Sequence, residues 1–419
     1  MNPAPAVVGR SIRNAAGRDR GDVVDDKIEI IQGFKSSAVA AGLKKDKVLD
    51  MALIFSENET TAAGVFTTNQ VKAAPVILSR EHINSGKAKA IIANAGNANA
   101  CTGQRGLDDA RNTVDQVSKA LGIRPEEVLV ASTGVIGRPL DMDIISRAIP
   151  KLVDQLSDGD ISLAAQAIMT TDSFPKISRF DGRAGDKAYS ILGIAKGAGM
   201  IMPDMATMLC FIMSDIFIGP EDLNRALMSS VKSSFNRITV DGDTSTNDMV
   251  LVLANGMAGN PSLSEGDAKA FADGLGQVMG DLSRMIVRDG EGATKLVDIM
   301  LKGAYSATEA EHAARTVANS SLVKTAFYGQ DPNWGRIIAA LGRAGIRMEA
   351  DRVHIWIDDI QIVQNGLGMG AEAEKPAAGK MEGKAFSVTI DLQQGSFEER
   401  IVTCDLTHDY VSINADYRT

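Results

Sequence analysis

The sequence has 419 residues, of which 44% are hydrophobic and 23% are charged, with a formal net charge of −9. This composition is typical of a globular protein of two or three domains or lobes, and an acidic chain without a basic, aromatic-rich stripe argues against nucleic-acid binding. Three scattered cysteines and four histidines argue against a disulfide framework and a metal site, and no apolar run approaches the roughly 20 residues that span a bilayer. We therefore expect a cytoplasmic protein that binds no metal and no membrane.

The first half of the chain predicts a leader followed by alternating strands and helices. Residues 1–27 are rich in Arg, Asp, Ala and Gly, which predicts a flexible leader, with an organelle transit segment as the alternative. The stretches "AKAIIANAG" and "EEVLVASTGVIG" are typical of buried strands that run into glycine turns. The stretches "DDARNTVDQVSKALG" and "DIISRAIPKLVDQLSDG" have helical spacing of their apolar residues.

The second half repeats this mixture without repeating the sequence. "CFIMSDIFI" and "MVLVLANG" predict strands, and "PEDLNRALMSSVKSSF" and "GDAKAFADGLGQVMGDLSRMIV" predict helices. The tail from residue 352 predicts strands, interrupted by a mobile loop at "GMGAEAEKPAAGKMEGK". The irregular alternation predicts a mixed α/β (α+β) fold, a layered α/β sandwich of two packed lobes.

Two glycine- or aspartate-rich segments fail the tests for familiar ligand sites. "KGAG", residues 196–199, lacks the third glycine of a dinucleotide fingerprint and the Gly-Lys-Ser/Thr ending of a P-loop. "DGDTSTND", residues 241–248, lacks the glycine and glutamate of a calcium loop, because Val252 stands at the twelfth position. We predict no metal site in either segment.

The pair Ala206–Thr207 is compatible with a self-cleavage site as well as with the start of an ordinary strand. A threonine hydroxyl is a weak nucleophile, and one way to activate it is to make the threonine N-terminal, so that its own α-amine is the base. That amine has an unperturbed pKa of about 7.7–8.0, so part of it is neutral at pH 7. The pair alone does not distinguish a self-cleavage site from the first residue of an ordinary strand.

Several blocks of the sequence, in order, resemble the ornithine acetyltransferase family over nearly the whole chain beyond the leader. They are "GFKSSAVAAGLK", "GVFTTNQVKAAPV", "NAGNANACTG", "ASTGVIG", "IMTTD", "AKGAGMI", "MATML", "DGDTSTND", "EGATK", "SLVKTAFYGQDPNWGR" and "NADYRT". The resemblance implies self-cleavage between Ala206 and Thr207 into an α chain lobe, residues 28–206 after the leader, and a β chain lobe, residues 207–419. It also implies an α2β2 heterotetramer and two lobes with the active site between them.

The resemblance also implies roles for individual residues. Thr207 matches the nucleophile that carries the acetyl group, and Thr133 and Gly134 match the pair that stabilises the oxyanion. The residues that match substrate ligands, together with Thr207 itself, are Thr170, Lys196, Glu291, Asn414 and Thr419. On the residues alone, Thr133 and Gly134 would be a turn after a strand, and Thr170 would be a helix cap.

The implied reaction moves an acetyl group from N-acetylornithine to glutamate in arginine biosynthesis, without a cofactor. The sequence leaves open whether acetyl-CoA is a second acetyl donor. Two other functions stay open at this point, a hydrolase in which water meets the acyl-threonine and a non-enzymatic small-molecule binder. Asp204 departs from the usual small polar residue near the cleavage site, and we expect Cys101 to be a small buried residue.

Overall fold

The computed structural model describes residues 28–45, 47–202 and 208–416. The predicted leader, the predicted cleavage site at Ala206–Thr207 and the predicted ligand Thr419 lie outside these ranges. Asp204 lies outside them as well.

The first sheet has four strands in the order β1-β2-β4-β5. The strands are antiparallel except for the last pair, β4 and β5, which run parallel. Their bounds are Phe34–Val39 (β1), Met51–Ser56 (β2), Ala90–Asn97 (β4) and Val128–Val135 (β5). Both faces of these strands are buried, in agreement with their nearly continuous apolar sequences.

The second sheet has five strands in the order β3-β9-β8-β7-β6, and only β8 and β9 run parallel. The strands are Thr61–Phe66 (β3), Lys176–Ala184 (β6), Lys187–Lys196 (β7), Leu209–Ser214 (β8) and Met249–Ala254 (β9). Every residue of β8 and β9 is buried. The sequence therefore predicts these two strands correctly.

The two sheets stack face to face between two layers of helices. The outer face of the first sheet packs against α1 (Ala74–His82), α2 (Gly103–Leu121) and α3 (Met142–Asp154). The outer face of the second sheet packs against α5 (Pro220–Ser233) and α6 (Glu265–Arg288). Apolar residues of both inner faces form the central core, together with α4 (Ser162–Ala167). This four-layer arrangement confirms the predicted layered α/β sandwich.

A third sheet of six strands follows in the order β13-β12-β11-β14-β10-β15. The strands are Leu296–Ala304 (β10), His354–Ile357 (β11), Ile360–Gln364 (β12), Leu367–Gly368 (β13), Ala385–Asp391 (β14) and Phe397–Cys404 (β15). The helices that pack on it are α7 (Ala307–Ala318), α8 (Ser321–Tyr328), α9 (Trp334–Gly342) and α10 (Ala371–Met381). Val402 and Cys404 of β15 join the core beneath α6, which fastens the third sheet to the sandwich.

Local sequence signals explain where several of these helices begin and end. The side chain of Asp141 accepts hydrogen bonds from the first turn of α3, and Ser264 and Asp267 form a capping box at the start of α6. Gly122, in the left-handed conformation, ends α2. None of the described helices is long and apolar enough to cross a membrane.

Three predictions about local structure are wrong. The segment predicted as a mobile loop contains α10, because its Ala, Glu and Lys residues favour a helix and because Ala377 and Met381 are buried against the third sheet. The end of the tail, predicted as strand, forms helix α11 (His408–Asp416). Cys101 is exposed and not buried, because it lies in a bend between β4 and α2 and not on a strand of the core.

The strands before and after the predicted boundary between residues 206 and 207 belong to the same sheet, the second one. Strands β3, β6 and β7 precede this point, and β8 and β9 follow it. Lys196 at the end of β7 pairs directly with Leu209 at the start of β8. The layers of the fold therefore do not separate at this position.

Candidate active site

Lys196 is the centre of a polar cluster between the two sandwich sheets. It is the last residue of β7, and only 8% of it is exposed. Its Nζ donates a hydrogen bond to Thr170 Oγ1 at 2.8 Å and a longer one to Thr133 Oγ1 at 3.4 Å. One ammonium group thus joins three predicted site residues that come from different parts of the chain.

Thr133 and Gly134 are at the carboxyl end of β5, inside the strand and not in a turn after it. Gly134 has a φ of +127°, and a Cβ placed on it would be 2.4 Å from the carbonyl carbon of Gly96. Here β4 and β5 approach closely, and their register shifts. The position therefore requires glycine, because any side chain would meet the backbone of the neighbouring strand.

A buried ion-pair network lies behind Lys196. The Lys176 ammonium, with no exposed surface, contacts Asp172 Oδ1 at 2.7 Å and Asp289 Oδ2 at 2.6 Å. Asp172 also accepts from the backbone N–H of Gly197 at 2.6 Å and of Thr170 at 2.9 Å. This network fixes the backbone at Thr170 and at Gly197. A buried carboxylate needs hydrogen-bond donors, so moving either N–H group away would leave Asp172 without a partner there.

The charges of this network oppose the effect of burial on Asp172. Burial disfavours the carboxylate, but Lys176, Lys196 and the hydrogen bonds together hold the pKa of Asp172 well below its usual range. The pKa of Lys196 is lowered by burial, while Asp172 and Glu291 act in the opposite direction. Lys196 thus gives up its proton more readily than an exposed lysine does.

Glu291 and Asn414 form a second pair of predicted site residues, beside the glycine turn that follows Lys196. Asn414, on α11, donates through Nδ2 to Glu291 Oε2 at 2.7 Å. The Glu291 carboxylate lies against Gly199, where an added Cβ would be 2.4 Å from the carboxyl carbon. The backbone N–H of Glu291 donates to the carbonyl oxygen of Ala198 at 2.9 Å. These contacts tie the C-terminal helix to the glycine turn that follows Lys196.

Asn247 and Asp248 lie where β9 begins, beside the start of β8. The side chain of Asp248 is buried, and its Oδ2 has no hydrogen-bond partner among the described residues. Burial raises the pKa of Asp248 well above its usual value, although Ser245 and Lys196 favour the carboxylate. The N–H of Met249 donates to the carbonyl oxygen of Met208 at 2.9 Å. Met208 is the residue that follows the predicted nucleophile in the sequence.

The structure brings most of the predicted site residues into one cluster. They are Thr133, Gly134, Thr170, Lys196, Glu291 and Asn414. Residues that the prediction did not assign to the site, among them Asp172, Lys176 and Asn247, support it from behind. The motif blocks "IMTTD" and "DGDTSTND" contained Asp172 and Asn247, but Ser132, which Asn247 contacts, and Asp289, which completes the ion pair of Lys176, are far away in the sequence.

One surface cavity of the described residues does not coincide with the candidate site. A cavity of about 430 Å³ lies elsewhere, and its lining includes Phe66, Lys72, Arg80 and Met228. None of the predicted site residues lines it. Converging polar groups, and not cavity size, identify the candidate site.

Comparisons with known proteins agree with the resemblance inferred from the motifs. A sequence model of the ArgJ family matches residues 35–419. The arginine biosynthesis bifunctional protein ArgJ of Geobacter sulfurreducens is 52% identical over 391 residues, which are 93% of this chain and 100% of that protein. The protein of the same name from Desulfotalea psychrophila is 49% identical over 391 residues, again 93% of this chain and 100% of its own length.

Among solved structures, the arginine biosynthesis bifunctional protein ArgJ of Bacillus halodurans is 41% identical, with a TM-score of 0.47. The match covers 48% of this chain and 96% of that one. The family model spans almost all of the described residues, and the curated relatives match over their full length. The chain belongs to the ArgJ family.

Proposed function

We propose that this protein transfers an acetyl group from N-acetylornithine to glutamate, giving ornithine and N-acetylglutamate in arginine biosynthesis. The observation that carries the proposal is the contact of Lys196 with both Thr133 and Thr170. Lys196 pairs with Leu209 across the β7–β8 ladder, and the proposed nucleophile, Thr207, is two positions earlier in the sequence. The family membership supports the same reaction.

The first half-reaction acetylates the enzyme. The Thr207 hydroxyl, deprotonated by its own α-amine, attacks the acetyl carbonyl carbon of N-acetylornithine. Thr133 and Gly134, at the end of β5, are the proposed donors to the oxyanion, and such donors act most strongly in a site shielded from water. The C–N bond then breaks, the departing amine takes the proton from the α-ammonium, and ornithine leaves.

The second half-reaction returns the enzyme to its starting state. The α-amine of glutamate attacks the acetyl-threonine ester, and the Thr207 oxygen leaves and recovers its proton. Lys196 provides a cation for the α-carboxylate that both substrates carry. Glu291, held by Asn414, provides an anion for the side-chain ammonium of N-acetylornithine. Thr170 and Thr419 are proposed as further substrate ligands.

The proposed cycle uses no cofactor and no metal, because the nucleophile, the base and the oxyanion donors all come from the chain. Acetyl-CoA is proposed as a second acetyl donor for the same nucleophile. An assay with glutamate and acetyl-CoA tests this step separately. Formation of N-acetylglutamate without N-acetylornithine would support it, and the absence of product would restrict the enzyme to acetyl exchange.

We also propose that the chain cuts itself between Ala206 and Thr207 and that the products stay together as an α2β2 heterotetramer. The pairing of β7 with β8 supports lasting association, because one cut would leave the hydrogen bonds of the second sheet intact. Mass measurement in solution under native conditions tests the assembly.

A denaturing gel and an acetyl-transfer assay test the proposal together. The purified protein should give two fragments that begin at Met1 and Thr207. Thr207→Ala should remain one chain and lose transfer, because both steps use the same hydroxyl. Thr308→Ala, an exposed position on α7, is the matched control and should be cut and active.

The same assay separates the proposal from the alternatives. An intact chain with full activity would contradict self-cleavage as a requirement. Release of acetate in place of N-acetylglutamate would indicate a hydrolase. A protein that is neither cut nor active would support the non-enzymatic binder.

A further inference from the structure

Lys44 is a second lysine at the candidate site, and the sequence did not identify it as a ligand. It lies on the loop after β1, and its side chain is half-buried. Its Nζ donates to the carbonyl oxygen of Met169 at 3.0 Å. The next residue, Thr170, accepts from Lys196. Two ammonium groups therefore contact neighbouring residues of one short segment.

One carboxylate holds residues 41–44, the part of the loop that carries Lys44. Asp50 has no exposed surface. Its side chain accepts from the backbone N–H groups of Ala41 at 2.6 Å, Gly42 at 3.0 Å, Leu43 at 2.6 Å and Lys44 at 2.9 Å. A ligand-binding side chain on a preorganised loop loses less entropy when it binds.

The same loop packs on the strand crossing at the site. A Cβ on Gly96 would lie 3.1 Å from the carbonyl oxygen of Leu43, on the same glycine that Gly134 approaches. The loop and the proposed oxyanion pair thus contact a common piece of backbone. Lys44 therefore lies on a loop that packs directly against the backbone of the site.

The electrostatic surroundings of Lys44 include the charges of the site. Burial lowers the pKa of Lys44, Asp50 and Asp172 raise it, and Lys196 lowers it further. Because Lys44 and Lys196 carry like charges that disfavour each other, a bound anion relieves the repulsion. The two lysines therefore favour an anionic ligand, and two ammonium groups allow each to bind its own carboxylate.

The two substrates of the proposed reaction differ in this respect. Both carry an α-carboxylate, for which Lys196 is the proposed partner. The side chain of glutamate ends in a carboxylate, whereas the side chain of N-acetylornithine ends in an ammonium group. A single pocket that binds both substrates needs a cation for the side chain of glutamate and an anion for the side chain of N-acetylornithine. Glu291 is the proposed anion.

We propose that Lys44 is a specificity-determining residue that binds the side-chain carboxylate of the acceptor glutamate. This inference rests on the proposed function and adds the residue that distinguishes acceptor from donor. Lys44 acts in the second half-reaction and Glu291 in the first, while Lys196 binds the α-carboxylate in both. Because Lys44 repels the ammonium of N-acetylornithine, its removal should not weaken donor binding.

The test measures the two half-reactions separately, in single turnovers, with Lys44→Met, Lys44→Arg and the control Lys45→Met. Lys45 is the next residue in the sequence and is exposed. In Lys44→Met, the half-saturating glutamate concentration for deacetylation should rise about 10- to 100-fold, as expected for the loss of a hydrogen bond between charged groups. Release of ornithine from N-acetylornithine should be retained, which also shows that the variant is folded.

Glutamine as acceptor isolates the side-chain carboxylate, because it has nearly the same shape without the charge. The wild type, Lys44→Arg and Lys45→Met should prefer glutamate, and Lys44→Met should lose most of that preference. An unchanged preference in Lys44→Met, or equal weakening of both half-reactions, would overturn the proposal. Failure of the wild type to release ornithine would instead contradict the proposed function itself.

Discussion

The side-chain amide of Asn247 donates a hydrogen bond to the carbonyl oxygen of Ser132 at 2.8 Å and thereby joins the two sheets of the sandwich. Ser132 immediately precedes Thr133, one of the proposed oxyanion donors. The same amide nitrogen donates to the carbonyl oxygen of Ala98 at 2.6 Å. One buried side chain thus connects the start of β9 with the end of β5.

Asn247→Asp should separate the contribution of this bridge to catalysis from its contribution to stability. An aspartate of the same shape has no N–H groups and presents its oxygens to two carbonyl groups. We expect kcat to fall about 10- to 100-fold and the free energy of unfolding to fall by about 1–3 kcal/mol, since buried acceptors lose their donor. Urea unfolding and the acetyl-transfer assay measure the two effects.

Asn255→Asp is the matched control, at the other end of β9. Asn255 is also buried, and its Nδ2 donates to the carbonyl oxygen of Gln32 at 2.8 Å. This variant should lose stability but keep kcat. If both variants lowered kcat equally, the bridge to Ser132 would have no special role in the reaction.

Gly134→Ala tests the close approach of β4 and β5. Both Gly134 and Gly137 have positive φ, so an alanine at either position should cost about 1–2 kcal/mol through the backbone alone. Only at Gly134 does the added Cβ meet the backbone of Gly96, whereas at Gly137 nothing lies within 4 Å. Gly134→Ala should therefore be the less stable variant and should also lose transfer activity. Equal stability and activity of the two variants would contradict the crowding inferred here.

Lys196→Met should abolish most of the acetyl transfer without unfolding the protein. The variant removes the donor to Thr133 and Thr170 and the proposed cation for the substrate α-carboxylate, and losing a hydrogen bond to a charged group typically costs about 10- to 100-fold in rate. Asp172 keeps Lys176 as its ion-pair partner, so the fold should persist. Lys187→Met, at the exposed other end of β7, should have normal activity. Transfer at the wild-type rate in Lys196→Met would exclude Lys196 from the reaction.

The pKa of Asp172 predicts a pH-dependent contribution to stability. Because its pKa is lower in the folded protein than in the unfolded chain, the ionised carboxylate stabilises the fold above the ordinary aspartate pKa of about 3.9. This contribution is lost as the pH falls below that value toward the folded pKa. Asp172→Asn should thus reduce the free energy of unfolding by about 3–5 kcal/mol at pH 7, because it breaks a buried ion pair.

Unfolding experiments at pH 7 and pH 3 check this prediction. The difference between Asp172→Asn and the wild type should be smaller at pH 3. Asp186→Asn, an exposed position between β6 and β7, should behave as the wild type at both values. A deficit of Asp172→Asn that grows toward low pH would show that the sign of the pKa shift is wrong.

Local sequence patterns were sufficient for most of the sandwich. Apolar runs predicted β8 and β9, and helical periodicity predicted α2 and α6, because the sequence places the buried face of each element at regular intervals. The prediction failed at α10, because the glycines at both ends of the segment indicated a loop although the residues between them favour a helix. It failed again at α11, whose described residues are not buried, so that no apolar face marked the helix.

The motif blocks were enough to identify the family and the residue types of the site, because they contain Thr133, Thr170, Lys196, Glu291 and Asn414 in order. Which of these groups touch depends on the tertiary structure. Lys196 meets Thr133 across 63 positions of sequence, and Asn414 meets Glu291 across 123.

The buried contacts that support the site also depend on the tertiary structure. Lys176 contacts Asp289 across 113 positions, and Asn247 reaches Ser132 across 115. Nothing in the local sequence specifies such partners, because they depend on strand register and on how two sheets stack. The free energy of a buried charge or amide depends on those partners, so its role emerges only when the layers are assembled.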